Sequence, residues 1–527
     1  MKKYILPFLT LGLLASCVED EGNYNYKHLN EVDIQDIEES YAPLAYMDNV
    51  TISPVLSGSL AGTDLSSYEY EWHICLDGHT NHMVISTEKD LDWPANIAPG
   101  TYTLYFVVKD RTTGLETQKS TNLIVGSPYL RGFMVLGDDM ETGNVRLDML
   151  CMPVGRDTAY AKSIVENPVG LVGAKQIIFS GTGSAKEGDE FLWLLSEHSS
   201  YMMSYGDTIS FGSELNEAGL LEIETPHKTP MRIHEVFPRQ GGYSPQTGSS
   251  FNRARTYKGM ILDDMVVFCP NGNWGGAINR YSPTSNEYFT PYPKAFLHMS
   301  KSYNDDIVNT LIYDVDHQCF ARITNRYPTY LEKIVNTSYV NEWDIEIGND
   351  NRTLVYAENG FNVLNTNTPS TPVYMILKDN DADNYYIVFF GGYYSNLRFM
   401  YMIGQKSPLY KVDPAGAPDF GKASHYMFSS NRQVLLYSVG SRLYQYDYTR
   451  GTSISMDFDG EITDIEPEYA SQASLKDYFV ATYNEATGKG MIYKMEVPPT
   501  ANAGFSFLQG QQWETDLRVK DIEWKLP

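Results

Sequence analysis

Asp379, Asp381 and Asp383, in the stretch "DNDADNYY", stand at alternate positions, the spacing of the first ligands in a calcium-binding loop. Carboxylate oxygens gathered in this way could hold a hard cation. The rest of that loop is missing, because Asn384 stands where the turn glycine belongs and Phe390 where the bidentate glutamate belongs. An EF-hand is excluded. Two readings stay open: a looser structural calcium site, or a plain turn of the kind that Asp and Asn favour. Apart from that calcium, the sequence implies no cofactor.

Other spacings fail sooner. "HEVFP" begins as a zinc-protease helix does, at His234-Glu235, but Pro238 stands where the second histidine must come and would break the helix. "FSGTGSAKEGD" carries Gly181 and Gly183, yet Lys186 occupies the place of a dinucleotide-loop glycine, and no Ser or Thr follows that lysine. His73, His79 and His82 lie close in sequence and read as polar residues of a strand and its loop. The pairs Asp138-Asp139, Asp263-Asp264 and Asp305-Asp306 could serve glycoside hydrolysis only at separations that a fold must set. With 66 acidic residues such pairs arise by chance. No G-x-S-x-G occurs, so a hydrolase nucleophile elbow is missing. No catalytic residue is assigned, and the expectation is a protein that is not an enzyme.

Aromatic rings flanked by Gly and Asn offer a different chemistry. Trp274 and Tyr281 in "NGNWGGAINRY", and Tyr393 and Tyr394 in "GGYYSN", could stack on sugar rings or hold peptide side chains. The alternative is that they fill space between packed strands. These four are the candidate ligand-binding residues.

The elements that must position these residues are strands. The chain has 40 Tyr, 22 Phe and 7 Trp with 41 Gly and 26 Pro, and short runs rich in Val, Ile, Tyr and Phe recur between turn residues. That is an all-β composition. Over residues 29–126, "SSYEYEWHICLDG" sets Tyr68, Tyr70 and Trp72 on one strand face, and Thr101 to Lys109 and Gln118 to Val125 form a hairpin. A buried Trp facing a Tyr-rich hairpin fits an immunoglobulin-like sandwich. Over residues 127–527, seven hairpin stretches recur, from "RGFMVLGDDMETGNVRLDML" to "DYFVATYNEATGKGMIYKMEV". Repeated antiparallel units at this interval predict a β-propeller of seven blades, with six or eight open, and "LRVKDIEWKLP" pairing with an early strand to close it. A large two-sheet sandwich is the competing architecture.

The N-terminus says where the protein works. Lys2 and Lys3 precede an apolar run from Tyr4 to Leu14, which is too short to cross a bilayer and reads as a secretory signal. Leu14-Ala15-Ser16-Cys17 resembles a bacterial lipobox, which implies cleavage after residue 16 and acylation of the Cys17 thiol. Residues 17–28 then form an acidic tether, and Val18-Glu19-Asp20-Glu21 resembles the surface-export signal of Bacteroidetes lipoproteins. Asp157-Thr158-Ala159 and Asp207-Thr208-Ile209 resemble the O-glycosylation motif of exported proteins from the same group. With 40 Lys and Arg against 66 acids, the net charge is −26, which repels phosphate backbones and argues against nucleic acid as a partner. Cys75, Cys151, Cys269 and Cys319 show no metal spacing and read as buried free thiols.

"YEYEW" followed by "GTYTLYFVVKDRTTGLE" resembles the PKD-like domain, a spacer or adhesion module. The order of lipobox, PKD-like module and propeller-like remainder resembles the PKD-like family of Bacteroidetes surface lipoproteins. That resemblance implies a lipid-anchored outer-membrane protein facing outward, working with a SusC/SusD-type uptake complex and other surface lipoproteins. Such an accessory would capture peptide or oligosaccharide ligands or dock on the complex. A surface glycoside hydrolase or peptidase with dispersed carboxylates is one alternative, and an adhesin is another.

Overall fold

The computed structural model describes residues 29–76, 81–180, 191–204, 209–215, 232–237, 259–268, 276–299, 308–323, 329–334, 342–360, 372–395, 400–430, 432–468, 476–498 and 503–525. The signal, Cys17 and the tether lie outside the described residues. Among those described, every regular element is a strand apart from short 3-10 turns, and no helix is long and apolar enough to cross a membrane. The protein is all-β. It divides into two compact units, Met1–Gly126 and Ser127–Pro527.

In the first unit a five-stranded sheet runs in the order Ser40–Tyr41, Glu116–Val125, Gly100–Asp110, Tyr68–Cys75, His82–Ser86. Two smaller sheets accompany it, Val32–Gln35 with Val55–Gly58 and Asn49–Ile52 with Leu91–Pro94. Alternation decides the inner face: Leu104, Phe106 and Val108 join Tyr68, Trp72 and Ile74 in one core, with Tyr70 packed against it. Trp72 is fully buried, and its ring stacks on Phe106 at 4.3 Å. The indole N–H donates to the carbonyls of Glu88 (3.1 Å) and Lys89 (3.2 Å), so the polar end of this large side chain is satisfied as well.

Among its described residues the second unit contains seven sheets, all antiparallel. The first joins Ala159–Ala161, Val145–Cys151 and Gly132–Asp139 to the C-terminal strand Leu517–Lys525, with Phe133 opposite Trp524. The next six follow in chain order and begin with the strands Ala174–Ser180, Ile233–Phe237, Pro291–Met299, Arg352–Asn359, His425–Phe428 and Glu461–Pro467. Each of these opening strands touches the opening strand of the following sheet, and the two ends of the series, Ala174–Ser180 and Glu461–Pro467, both touch Leu517–Lys525. In the third sheet the hairpin is Gly259–Leu262 with Val266–Phe268, and the Asn/Gly-rich "NGNWG" that follows lies outside the described residues.

Among the described residues, seven apolar clusters fill the spaces between consecutive sheets. Met134, Leu136 and Leu147 of the first sheet pack with Ile177 and Leu192 of the second. Phe133, Val135 and Leu150, on the other face of the same strands, pack with Phe479 and Ile492 of the seventh. This is why "GFMVLG" is an unbroken apolar run: both faces of the strand are buried, so polar alternation is lost. One turn recurs at the hairpin tips of both units. The side chain of Asp110, Asp139, Asp447 or Asn484 accepts backbone N–H groups two and three residues on. A glycine four places after the cap then takes the left-handed conformation, as Gly143 does at φ 75°.

Candidate functional site

Six of the seven contacting strands carry a β-bulge. An extra residue reverses the alternation from that point on. In Glu461–Pro467 the shift falls between Ile462 and Asp464, so Ile462 and Ile465, three apart, both enter the apolar cluster. Asp464 and Glu466 are left together on the opposite face. The C-terminal strand repeats the device: Val519 and Ile522 are in the core, and Asp521 and Glu523 are opposite. Ile233 and Val236 in the third sheet likewise leave Glu235, and Leu354 and Ala357 in the fifth leave Tyr356 and Glu358.

Of these carboxyl groups, Glu466 is half-buried and the others are buried, and two of them bridge sheets. Asp521 Oδ2 accepts the backbone N–H of Ile177 at 2.7 Å. Glu358 accepts the Tyr356 hydroxyl at 2.5 Å, and its Oε1 accepts the backbone N–H of Phe428 in the next sheet. Ligand oxygens of Asp464, Glu466 and Asp521 all lie within 4.8 Å of one another. Like charges so close repel by about 3 kcal/mol per pair at an effective dielectric of about 20. Asp464 is only 8 % exposed, and its Oδ2 is buried with no hydrogen-bond partner.

Burial is the first reason that the Asp464 carboxyl is pushed well above the usual range; the charges of Glu466 and Asp521 add to it, while the Ile465 N–H and Lys294 oppose it. Glu358 is raised to about 7, again chiefly by burial, against the Tyr356 hydroxyl, Lys294 and the Phe428 N–H. Lys294 also places its ammonium 5.2 Å from the centre of the Tyr356 ring. Glu358, raised to about 7, can gain or lose a proton near neutral pH.

The residues singled out from sequence fall elsewhere. Trp274 lies outside the described residues. Tyr393 and Tyr394 pair with Met402 and Tyr401 in the fifth sheet; their side chains lie outside the described set. Tyr281 is half-buried, stacks on Phe289 and donates its hydroxyl to Asp314 at 2.6 Å, which ties it into the sheet packing. Asp379 ends one strand, Asp381 and Asp383 sit on the turn that follows, and each is engaged separately. Asp379 meets Arg352, Asn384 and Tyr386, Asp381 meets Asn351, and Asp383 meets Lys378. His234 is on a strand and binds Asp263 at 2.9 Å, while Asp138 accepts the Ala174 N–H. Cys151 and Cys319 are buried free thiols, and Cys75 is buried.

Sequence reasoning missed Asp464, Glu466 and Asp521. The signal was there as a short repeat, "TDIE" at 463–466 and "KDIE" at 520–523, each acid pair straddling one core isoleucine.

The model of the PKD-like family matches residues 17–167, so it covers the first unit and runs into the first sheet of the second. No curated protein matches the chain. Among solved structures, the chain is similar to a quinonprotein alcohol dehydrogenase-like protein of Bacteroides thetaiotaomicron, at 13 % identity and a TM-score of 0.37 over 92 % of this chain and 96 % of that one. It is similar also to a DUF4784 family protein of Bacteroides caccae, at 6 % identity and a TM-score of 0.29 over 81 % and 95 %. A third similarity is to the extracellular domain of a one component system of B. thetaiotaomicron, at 9 % identity and a TM-score of 0.30 over 92 % and 64 %.

Proposed function

We propose that the second unit is a seven-bladed β-propeller whose seven contacting strands line a central channel. We propose further that the protein is an outer-membrane lipoprotein facing outward, a non-enzymatic accessory of a SusC/SusD-type importer that captures peptide or oligosaccharide ligands. The observation that carries the propeller reading is the return of Leu517–Lys525 to pair with Gly132–Asp139, which leaves seven sheets, each packed on the next. Propellers present loops around a central channel, a geometry suited to holding a ligand. Binding without turnover is favoured because Glu358 and Asp521 spend oxygens on backbone N–H groups of neighbouring sheets. The surface placement rests on the Cys17 lipobox, the acidic residues after it and the PKD-like match.

The test has two arms. Cys17→Ser should release the protein from membranes, and protease added to whole cells should digest the native form; retention in the membrane or full protection overturns the placement. Calorimetric titration with peptide and oligosaccharide panels, with product analysis, should show binding and no cleavage. Turnover abolished by one Asp or Glu substitution overturns the non-enzymatic reading.

A further inference from the structure

We propose that Asp464, Glu466 and Asp521 bind one divalent cation, calcium in preference to softer metals, and that the ion clasps the C-terminal strand to the strand Glu461–Pro467. Neither the lipid anchor nor the importer enters this inference; it needs only the placement of these two strands. The donors are all carboxylate oxygens, a set that suits hard cations. Oxygens bound to one calcium ion at about 2.3–2.6 Å lie at most about 5 Å apart. The three here fall inside that span, within 4.8 Å.

A second observation independent of the clustering points the same way. Asp464 Oδ2 is buried and makes no hydrogen bond, whereas native proteins pair nearly all such atoms with protein, water or an ion. Asp521 anchors one oxygen on the Ile177 N–H, which orients the group as an outer hydrogen bond orients a metal-binding carboxylate. The charge count agrees. Three carboxylates converge here, Lys294 acts on Asp464 with the opposite sign, and a divalent ion would offset the charge they gather.

Because the ligands come from both sides of the point where the C-terminal strand rejoins the unit, binding is coupled to that closure. The second unit should bind the ion only when folded, and should therefore be stabilised by it. The purified full chain, stripped with EDTA, is titrated calorimetrically with calcium, magnesium and manganese chloride, and its thermal unfolding is followed with and without each ion. The expected result is one calcium site and a calcium-dependent rise in the melting temperature of the second unit. Asp464→Asn and Asp521→Asn should each weaken calcium binding at least tenfold, with circular dichroism reporting whether each variant is folded. Asp381→Asn, on the separate turn, should bind as the native chain does. The inference is overturned if the native chain shows neither heat nor a melting shift with any of the three ions. It is overturned too if Asp381→Asn removes the response, or if folded Asp464→Asn keeps it. Should Asp464→Asn raise the melting temperature at neutral pH while the native chain binds nothing, the cluster holds a proton and not a metal.

Discussion

The two units bury different things. Among the described residues the core of the first is almost wholly apolar, with Asp110, at the end of its strand, and Thr121 its buried polar side chains. Among its described residues the second buries Asp148, Glu235, Asp314, Glu358, Asp447, Asp464, Glu468, Asp477, Asp521 and Glu523, together with Lys494 and Lys525. A sandwich closes one core with side chains alone. Seven sheets must be held at seven separate spaces, and at two of them a carboxylate takes a backbone N–H from the sheet beyond. The second unit spends solvation energy on holding one sheet against the next, which the first does not need.

The largest break follows from removing residues 517–527. Leu517, Val519, Ile522 and Trp524 each bury a side chain worth roughly 1.5–3 kcal/mol, and their sum rivals the stability of a whole domain. Calorimetry should show the transition of the second unit abolished and that of the first unchanged. Trp72→Ala should do the reverse, lowering the first transition by about 4 kcal/mol and leaving the second where it was.

A smaller contrast comes from pH. Glu358 has its carboxyl raised from 4.5 to about 7 in the folded state, so the folded chain holds a proton that the unfolded chain releases. Stability from this group is present below about 4.5 and is lost as pH rises through about 7. The second unit should therefore gain up to about 3 kcal/mol between pH 8 and pH 5, read as melting temperature against pH, and Glu358→Gln should flatten that slope. Asp477, raised to about 6 by burial, acts in the same direction. The smallest effect sharpens what the units share. Asn484→Ala removes a turn cap from the second unit and should cost about 1 kcal/mol in urea unfolding, as should Asp110→Ala in the first.

Much of the first unit was legible because its alternation is regular. Tyr68, Tyr70 and Trp72 read as one face and pack on one core. The hairpin strands of the second unit were legible for a related reason, since strands buried on both faces write continuous apolar runs. The carboxylate cluster was not legible. Asp464 and Ile462 share a face by simple alternation, and only the bulge between them separates an acid from the core.

The sequence by itself determined which segments are strands, where they turn and which side chains seek the interior, because these depend on neighbours a few residues away. Tertiary structure alone decided that Asp464 and Asp521 meet. That contact requires the last strand to return across the whole second unit, and hydrophobic burial along every intervening sheet, with no local preference, brings it there.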